Sequence, residues 1–471
     1  MKYSIVNYCD TSNALDKRLD PEYWSPEALE AENSIIGQPL EKYIESGYRV
    51  VYENTKIIDK TFQKENDLPF FIQSSDIEDC CINMDTVNCV SNTDWYRYPK
   101  GRIKKGEILV EVKGNVKKVA IVTDDIPDKS LVSGTLYKLS IKNISSFFVI
   151  CFLSCKYGQT LKNRLVCNIA TPFINKEGLY NIPIPDCSTN LQNKIENIYK
   201  NSIKLKASTK VLYKQSEELL LKELDLSNWY PKHKLSYVKN FSDVNSANRY
   251  DAEYFQPKYD EIIKKIKSYS NGWDTVDNVI EINDKNVTPK DNEEYKYIEL
   301  SNISNNGEIT GATIDIGKNL PTRARRFVKA GELIVSSIEG SLNSIALITA
   351  EYNKSFCSNG FYVLKSDFYN SEILLCLLKS IIGQMQLKKG CSGTILTAIS
   401  KEELNKIILP KISNDIQVQI KNNIQKMYEL KYQSKQLLEI AKRGVEIAIE
   451  EDEEVATSWI NEQLSKIGVK L

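Results

Sequence analysis

The chain repeats itself, and a repeat of this length limits what it can fold into. Residues 183–224 carry Pro183 and Pro185, then a long stretch with Leu191, Ile198, Leu205, Leu212 and Leu219 spaced seven apart, widened by Ile195, Ile203 and Leu220. A seven-residue apolar period over this distance predicts one long helix packed along another helix. The partner lies in the same chain. Residues 408–450 supply Ile416, Ile420, Ile424, Met427, Leu430, Leu437, Leu438, Ala441 and Val445. At a shift of 225, Pro185 falls on Pro410, Leu191 on Ile416, Gln192 on Gln417 and Ile195 on Ile420. The 471 residues are two copies of one plan, each ending in a long helix.

Other stretches repeat in the same order. Arg18, Asp20, Glu22, Tyr23 and Pro26 match Arg249, Asp251, Glu253, Tyr254 and Pro257 at a shift of 231. Residues 70–77 match 296–303 at 226, both strand-like. Residues 105–110 (KGEILV) match 330–335 (AGELIV), and from there the register is expected to hold at 225. Gly158-Gln159 then meets Gly383-Gln384, and Lys176-Glu177 meets Lys401-Glu402. Between these matches, residues 78–101 and 304–326 share almost nothing and form the variable part of each copy. An ordered series of matches is the signature of a duplicated unit.

Composition excludes several classes. Lys+Arg and Asp+Glu each number 62, so an indiscriminate basic coat for nucleic acid is disfavoured, though a local basic face is not. The 11 cysteines include no C-x-x-C, and the one histidine is His233, which argues against a zinc site and a histidine-based hydrolase. Reduced, buried thiols in a cytoplasmic protein are the expectation. The N-terminus has no signal-peptide core, and apolar runs such as 147–153 are too short to span a bilayer. There is no glycine-rich dinucleotide or phosphate loop and no Asn/Asp-Pro-Pro-Phe/Tyr motif of an amino-methyltransferase. The paired carboxylates at Asp20/Glu22 and Asp251/Glu253 read as junction residues rather than acid–base catalysts, since they recur at a structural boundary. No catalytic residue and no metal ligand is assigned.

The remaining basic clusters read either as ordinary solvated charge or as a face for nucleic acid. Phosphates are met by Lys and Arg, and base edges by Arg, Asn, Gln and Ser. The first copy offers Arg97, Lys100, Arg102, Lys104, Lys105 and Lys113, with Trp95, Tyr96 and Tyr98 interleaved. The second offers Arg323, Arg325, Arg326 and Lys329. Ser341 and Asn343 follow Gly340 in a loop and read as base contacts or as turn caps. Gly393-Thr394 reads as a close backbone approach to phosphate or as a plain turn.

With these parts laid out, the chain resembles the DNA-specificity (S) subunits of type I restriction–modification systems. The R-[LY]-D-x-E-Y-[WF]-x-P starts, the K-x-G-E-[IL]-[LI]-V-like turns, residues 390–404 (GCSGTILTAISKEEL) and the proline entries to the long helices carry the resemblance over nearly the whole chain, twice. Residues 166–178 depart from the Gly-Thr pattern of the second copy.

The resemblance implies an α+β fold with two α/β target-recognition domains in a pseudo-twofold repeat, separated by two long antiparallel coiled-coil helices. The boundaries expected are 1–187 and 249–411 for the domains, 188–225 and 412–450 for the spacer helices, 226–248 for a connector and 451–471 for a tail, with the acidic run 450–454 as a solvated helix face. A helix of 188–225 is about 57 Å long at ~1.5 Å per residue. The resemblance further implies no chemistry in this chain. It would direct DNA methyltransferase subunits that carry S-adenosylmethionine to a bipartite, asymmetric double-stranded target, with room for motor-nuclease subunits to add on. The rival expectation is a protein-interaction scaffold of a defence complex that reads no sequence.

Overall fold

The structure is a computed structural model. It describes residues 4–469 apart from 15–16, 168–169, 305 and 394–396, and apart from the side chains of residues 13, 64 and 65. The chain divides into two compact units, residues 1–206 with 431–471, and residues 207–430. The long helices Thr189–Glu223 and Asn414–Glu450 each contribute to both.

In the first unit a four-stranded antiparallel sheet runs in the order Ile44–Tyr48, Leu136–Ile141, Ile108–Glu111, Val119–Ile121. Beside it, Phe70–Ile72 pairs in parallel with Ser130–Val132 and antiparallel with Asn88–Cys89. The helix Ser146–Ser154 is apolar on every side and is buried from Phe148 to Leu153, as a helix without a polar face must be. Ser145 caps it by accepting from the Phe148 amide.

The second unit repeats this plan. Its sheet runs Glu281–Asn283, Phe361–Lys365, Leu333–Ser336, Ile345–Leu347. Glu294–Ile298 pairs in parallel with Ser355–Ser358. The buried helix is Ser371–Lys379, capped by Asn370.

The repetition reaches single hydrogen bonds. Gln159 donates to the carbonyls of Leu153 (2.8 Å) and Lys117 (2.9 Å). Gln384 donates to those of Leu378 (3.0 Å) and Leu342 (3.2 Å). All three positions differ by 225. A Cβ on Gly158 would stand 2.1 Å from the Phe152 carbonyl, and one on Gly383 2.5 Å from that of Leu378, so both helix pairs turn a corner that only glycine allows. The expected constant register fails at one place. Ile108 faces Ile121 and Leu333 faces Leu347, a shift of 226 for the second partner. The loop between these strands is one residue longer in the second copy (337–344 against 112–118).

The Arg-x-Asp starts are clamps. Arg18 pairs with Asp20, donates to the Val166 carbonyl at 2.8 Å and lies over the Tyr23 ring. Arg249 pairs with Asp251, donates to the Cys391 carbonyl at 2.8 Å and lies over the Tyr254 ring. The guanidinium beside Asp20 holds that carboxyl below its usual range. In the second copy burial pulls Asp251 upward, and the hydrogen bonds from Arg249 and the Tyr254 amide together with the Arg249 charge outweigh it, leaving the group low as well. Lowered carboxyl groups engaged by arginine fit a structural joint rather than a general acid.

The heptad residues are buried at the start of the first long helix and only half-buried further along it. Leu191, Ile195 and Ile198 are buried in the first unit with Leu437, Leu438, Ala441 and Val445, while Leu205 is half-buried. In the second unit Ile420, Ile424 and Met427 are buried, while Leu212, Leu219 and Ile416 are half-buried. Leu430 is half-buried too. The positions closed to solvent along the middle of the first helix are Ser202, Thr209 and Ser216, which continue the Ile195 row at the same seven-residue period. Small side chains there let the helix backbones approach.

The acidic run is not one helix face. Glu450 pairs with Arg443 at 2.8 Å, Asp452 accepts from the Val455 amide and starts a new helix, and Glu453 accepts from the Ser188 amide at 2.7 Å. Carboxylates at a helix start complement its dipole. The expected tail is this helix, Glu453–Lys466, which buries Ala456, Ile460 and Leu464 in the first unit. Among the described residues no helix is long and apolar enough to cross a membrane.

Candidate nucleic-acid interface

In each unit the strands bring several loops to one end. In the second unit these are the 284–288 segment, the entry to Ala324–Val328, the 337–344 loop, the 358–360 turn and the ends of the paired strands Cys391–Ser392 and Ala398–Ile399. Backbone hydrogen bonds join them in series: Val287 amide to Arg325 carbonyl (2.8 Å), Asn359 to Arg323 (2.8 Å), Ser337 to Gly360 (2.9 Å) and Glu339 to Thr397 (2.9 Å). In the first unit the corresponding bonds run from Val112 to the Thr135 carbonyl (3.0 Å) and from Gly114 to that of Pro172 (3.0 Å). Bridges Lys113–Phe173 and Ile338–Ala398 occupy matching places. Each unit thus carries one lip of loops on the same scaffold.

The lips share position but not chemistry. On the second, Arg323 is exposed. Arg325 donates to the Thr288 hydroxyl at 2.8 Å and to the Thr322 carbonyl at 3.0 Å. Arg326 donates to Asn286 Oδ1 at 2.8 Å, to the Phe361 carbonyl at 3.2 Å and to the Asp284 carbonyl. Lys401 pairs with Asp284 at 3.0 Å, which holds the segment from the other side. The Ser341 hydroxyl lies 2.9 Å from that of Ser336 and 3.3 Å from the Ile338 carbonyl, so it caps its own loop. Asn343 Oδ1 accepts from Lys379 at 3.0 Å. Gly393 lies at φ +129°, in the left-handed half that favours glycine, directly after the strand Cys391–Ser392. Thr394 lies outside the described residues.

On the first lip aromatic rings stand among the basic residues. Tyr52 packs on Tyr98 with ring centroids 4.6 Å apart, and the Glu53 amide donates to the Tyr98 hydroxyl at 2.9 Å. Arg97 pairs with Glu53 at 2.9 Å, and Lys100 lies over the Tyr48 ring. Arg102 is stacked on Trp95 with 4.3 Å from guanidinium to ring centroid and donates to the Trp95 carbonyl, which makes it a brace of the lip. Lys113 is exposed on its loop.

Three of the basic residues stand elsewhere. Lys104, Lys105 and Lys329 lie at the turns that precede Ile108–Glu111 and Leu333–Ser336, at the opposite ends of those strands from the loops 112–118 and 337–344. Lys105 donates to the carbonyls of Asp124 (3.1 Å) and Ile126. Sequence reasoning missed Asn286, Thr288 and Asn359. They join the lip only through pairing across sequence separations of about 35 residues or more, which no local pattern announces.

Among the described residues no group of three His, Cys, Asp or Glu side chains is placed to hold a metal ion. Burial pushes the Cys155 thiol up to about 12 and the Cys81 thiol up to about 11, which keeps these two protonated at neutral pH.

No family model matches the chain, and no curated protein matches it. Among solved structures, it is similar to a type I restriction–modification system S subunit from M. genitalium, at 11% identity and a TM-score of 0.36, over 93% of this chain and 98% of that one. It is similar to the HsdS subunit from Thermoanaerobacter tengcongensis, at 14% identity and a TM-score of 0.27, over 89% and 97%. It is also similar to a chain from a study of complex assembly and conformational transition in the type I R-M system, at 11% identity and a TM-score of 0.27, over 90% and 96%.

Proposed function

We propose that this chain is a non-catalytic DNA-specificity subunit, each of whose lips reads one half of a bipartite target in double-stranded DNA. One observation carries the reading. The two copies keep the same order in their main four-stranded sheet, the same glycine corners and the same glutamine bonds, yet differ in the residues they place on the lips. A scaffold that only held proteins together would have no reason to preserve the frame and vary the rim. A reader of two unlike half-sites has that reason. Arginine and asparagine on the second lip suit guanine and adenine edges, and the first lip adds aromatic rings to its basic residues.

The chain supplies recognition, and a partner supplies chemistry. That partner is a DNA methyltransferase acting on adenine with its own S-adenosylmethionine; motor-nuclease subunits join where the system also cuts. Cytoplasmic location follows from these partners.

The test is single-molecule sequencing of modified bases in host DNA, with and without this gene. Loss of one bipartite methylated motif on deletion is the expected result. Unchanged methylation while the partner methyltransferase is expressed and active would overturn the reading.

A further inference from the structure

In each unit a lysine lies inside the fold with its amino group against the underside of the lip loop. Lys162, on the helix Lys156–Arg164, is 0% exposed and donates to the Lys117 carbonyl at 2.9 Å. Lys379, at the end of Ser371–Lys379, is 7% exposed and donates to the Asn343 carbonyl at 2.6 Å and to Asn343 Oδ1 at 3.0 Å. The two lysines are not counterparts. At the shift of 225, position 162 corresponds to Leu387, and position 379 to Ser154. Two different helices have come to send a lysine to the same loop.

That coincidence needs a cause, because a lysine is the side chain a core accepts least readily. Packing alone does not supply one: Leu387 fills the matching place with an apolar side chain that is fully buried. Satisfying an inward carbonyl is a partial cause. In the first copy, however, Gln159 already donates to the Lys117 carbonyl at 2.9 Å, so Lys162 is a second donor to one acceptor. The loop is held from a third side as well. The Glu111 carboxylate accepts from the amides of Lys117 (3.1 Å) and Lys118 (3.2 Å). Ser336, its counterpart, accepts from the Ile338 amide at 3.1 Å and meets the Ser341 hydroxyl. Each loop is therefore fastened from below more firmly than its own backbone requires, by groups whose chemistry differs between the copies.

We propose that Lys162 and Lys379 are positioning residues for base readout, fixing the height and register of the loops 112–118 and 337–344 on their lips. The proposal rests on the DNA-reading function above. A long side chain reaching from a rigid helix pair sets a loop as a strut does, and a reading group displaced by about an ångström loses its bond to a base edge.

The experiment uses the full chain with Lys162→Met and Lys379→Met, read in two ways. Hydrogen exchange on the chain alone should show the amides of 337–344 exchanging about tenfold faster in Lys379→Met, with 112–118 unchanged, and the reverse for Lys162→Met. Competition binding of the methyltransferase complex to duplexes altered one base at a time should show about tenfold weaker discrimination at one half-site per variant, a different one for each. Where a Met variant does not fold, Lys→Gln at the same position, which keeps an N–H donor on a shorter arm, is read in both assays. Folded variants with unchanged loop exchange would overturn the proposal. So would faster exchange accompanied by equal loss at both half-sites, the mark of general destabilisation. A wild-type complex without sequence preference would instead remove the reading function itself, and with it any role in readout, while the exchange data would still report whether the lysines hold the loops.

Discussion

Ser202 and Ser434 exchange hydrogen bonds in the first unit: each hydroxyl donates to the other's carbonyl at 2.9 Å, and the two hydroxyl oxygens are 3.0 Å apart. Both are buried. The long helices are in close contact here because neither side chain extends past its β-carbon by more than one atom. Ser202→Leu overfills this point and should destabilise the first unit by about 1–3 kcal/mol. Ser202→Ala loses only the hydroxyl bonds and should cost about 1 kcal/mol. Urea unfolding followed by fluorescence would rank the two, and a Leu variant as stable as wild type would show that the seam is looser than these distances indicate.

Gly158 and Gly383 mark the corner between consecutive helices in each copy. A methyl group there would enter backbone rather than a side chain that can move aside, standing 2.1 Å from the Phe152 carbonyl or 2.4 Å from Leu378 Cα. Gly158→Ala and Gly383→Ala should each cost about 3 kcal/mol or more, above the usual range for surface substitutions. Gly106 and Gly331, which have open space around them, differ in kind: their φ values of +81° and +89° make the penalty one of backbone conformation alone. Thermal melts of the four alanine variants should separate into these two classes.

The buried lysines make stability depend on pH. Burial pushes both Lys162 and Lys379 down to about 7 from 10.5, against the opposing pull of Cys80, Glu111 and Cys155 on the first and of Cys376 and Glu217 on the second. Below pH 7 the lysines are protonated in the folded and the unfolded chain, and the fold bears the full cost of two buried charges. Above pH 7 the folded chain releases these protons while the unfolded chain keeps them until about 10.5, so stability rises with pH. Buried thiols act the other way. Cys155 is held up to about 12, so an unfolded thiol ionises first and stability falls once pH passes about 8.5. The lysine effect is therefore read between pH 7 and 8.5, as a difference between wild type and each Met variant. That difference should grow by about 1.4 kcal/mol per pH unit per lysine at most. Parallel profiles would mean that the amino groups stay hydrated.

The duplication and the proline entries were open to sequence reading because they rest on local spacing and repeated order, while the α+β class came from the family resemblance. The Ser202–Thr209–Ser216 row was not, although it has the same seven-residue period, because polar residues carry no apolar signal even where smallness is what packing selects. The lip was half legible. Arg323, Arg325 and Arg326 announced themselves as a cluster, but charge does not say which way a side chain faces. Lys105 and Lys329 looked like their neighbours and lie at the far ends of the strands. Asn286 and Asn359 belong to the lip only because distant strands pair, and such pairing is a property of the sheet.

Arg323 and Arg326 stand three residues apart and should fail in different ways when removed. Arg326 is committed to the protein, with bonds to Asn286 Oδ1 (2.8 Å) and to the carbonyls of Phe361 (3.2 Å) and Asp284. Arg326→Ala should release the 284–288 segment and cost about 1–3 kcal/mol of stability. Arg323 is exposed beside it, with its carbonyl rather than its guanidinium engaged, at 2.8 Å by the Asn359 amide. Arg323→Ala should leave the melting temperature within about a degree of wild type. If Arg323 meets a phosphate, log Kd for target DNA should depend on log salt with a slope smaller by about 0.9 in the variant, and affinity should fall evenly across target sequences. If it meets a base instead, the slope should stay and discrimination at one position should relax by about 1–3 kcal/mol. Titrations at several salt concentrations against the target and single-base variants separate the two. A variant that binds like wild type under every condition would remove Arg323 from the interface.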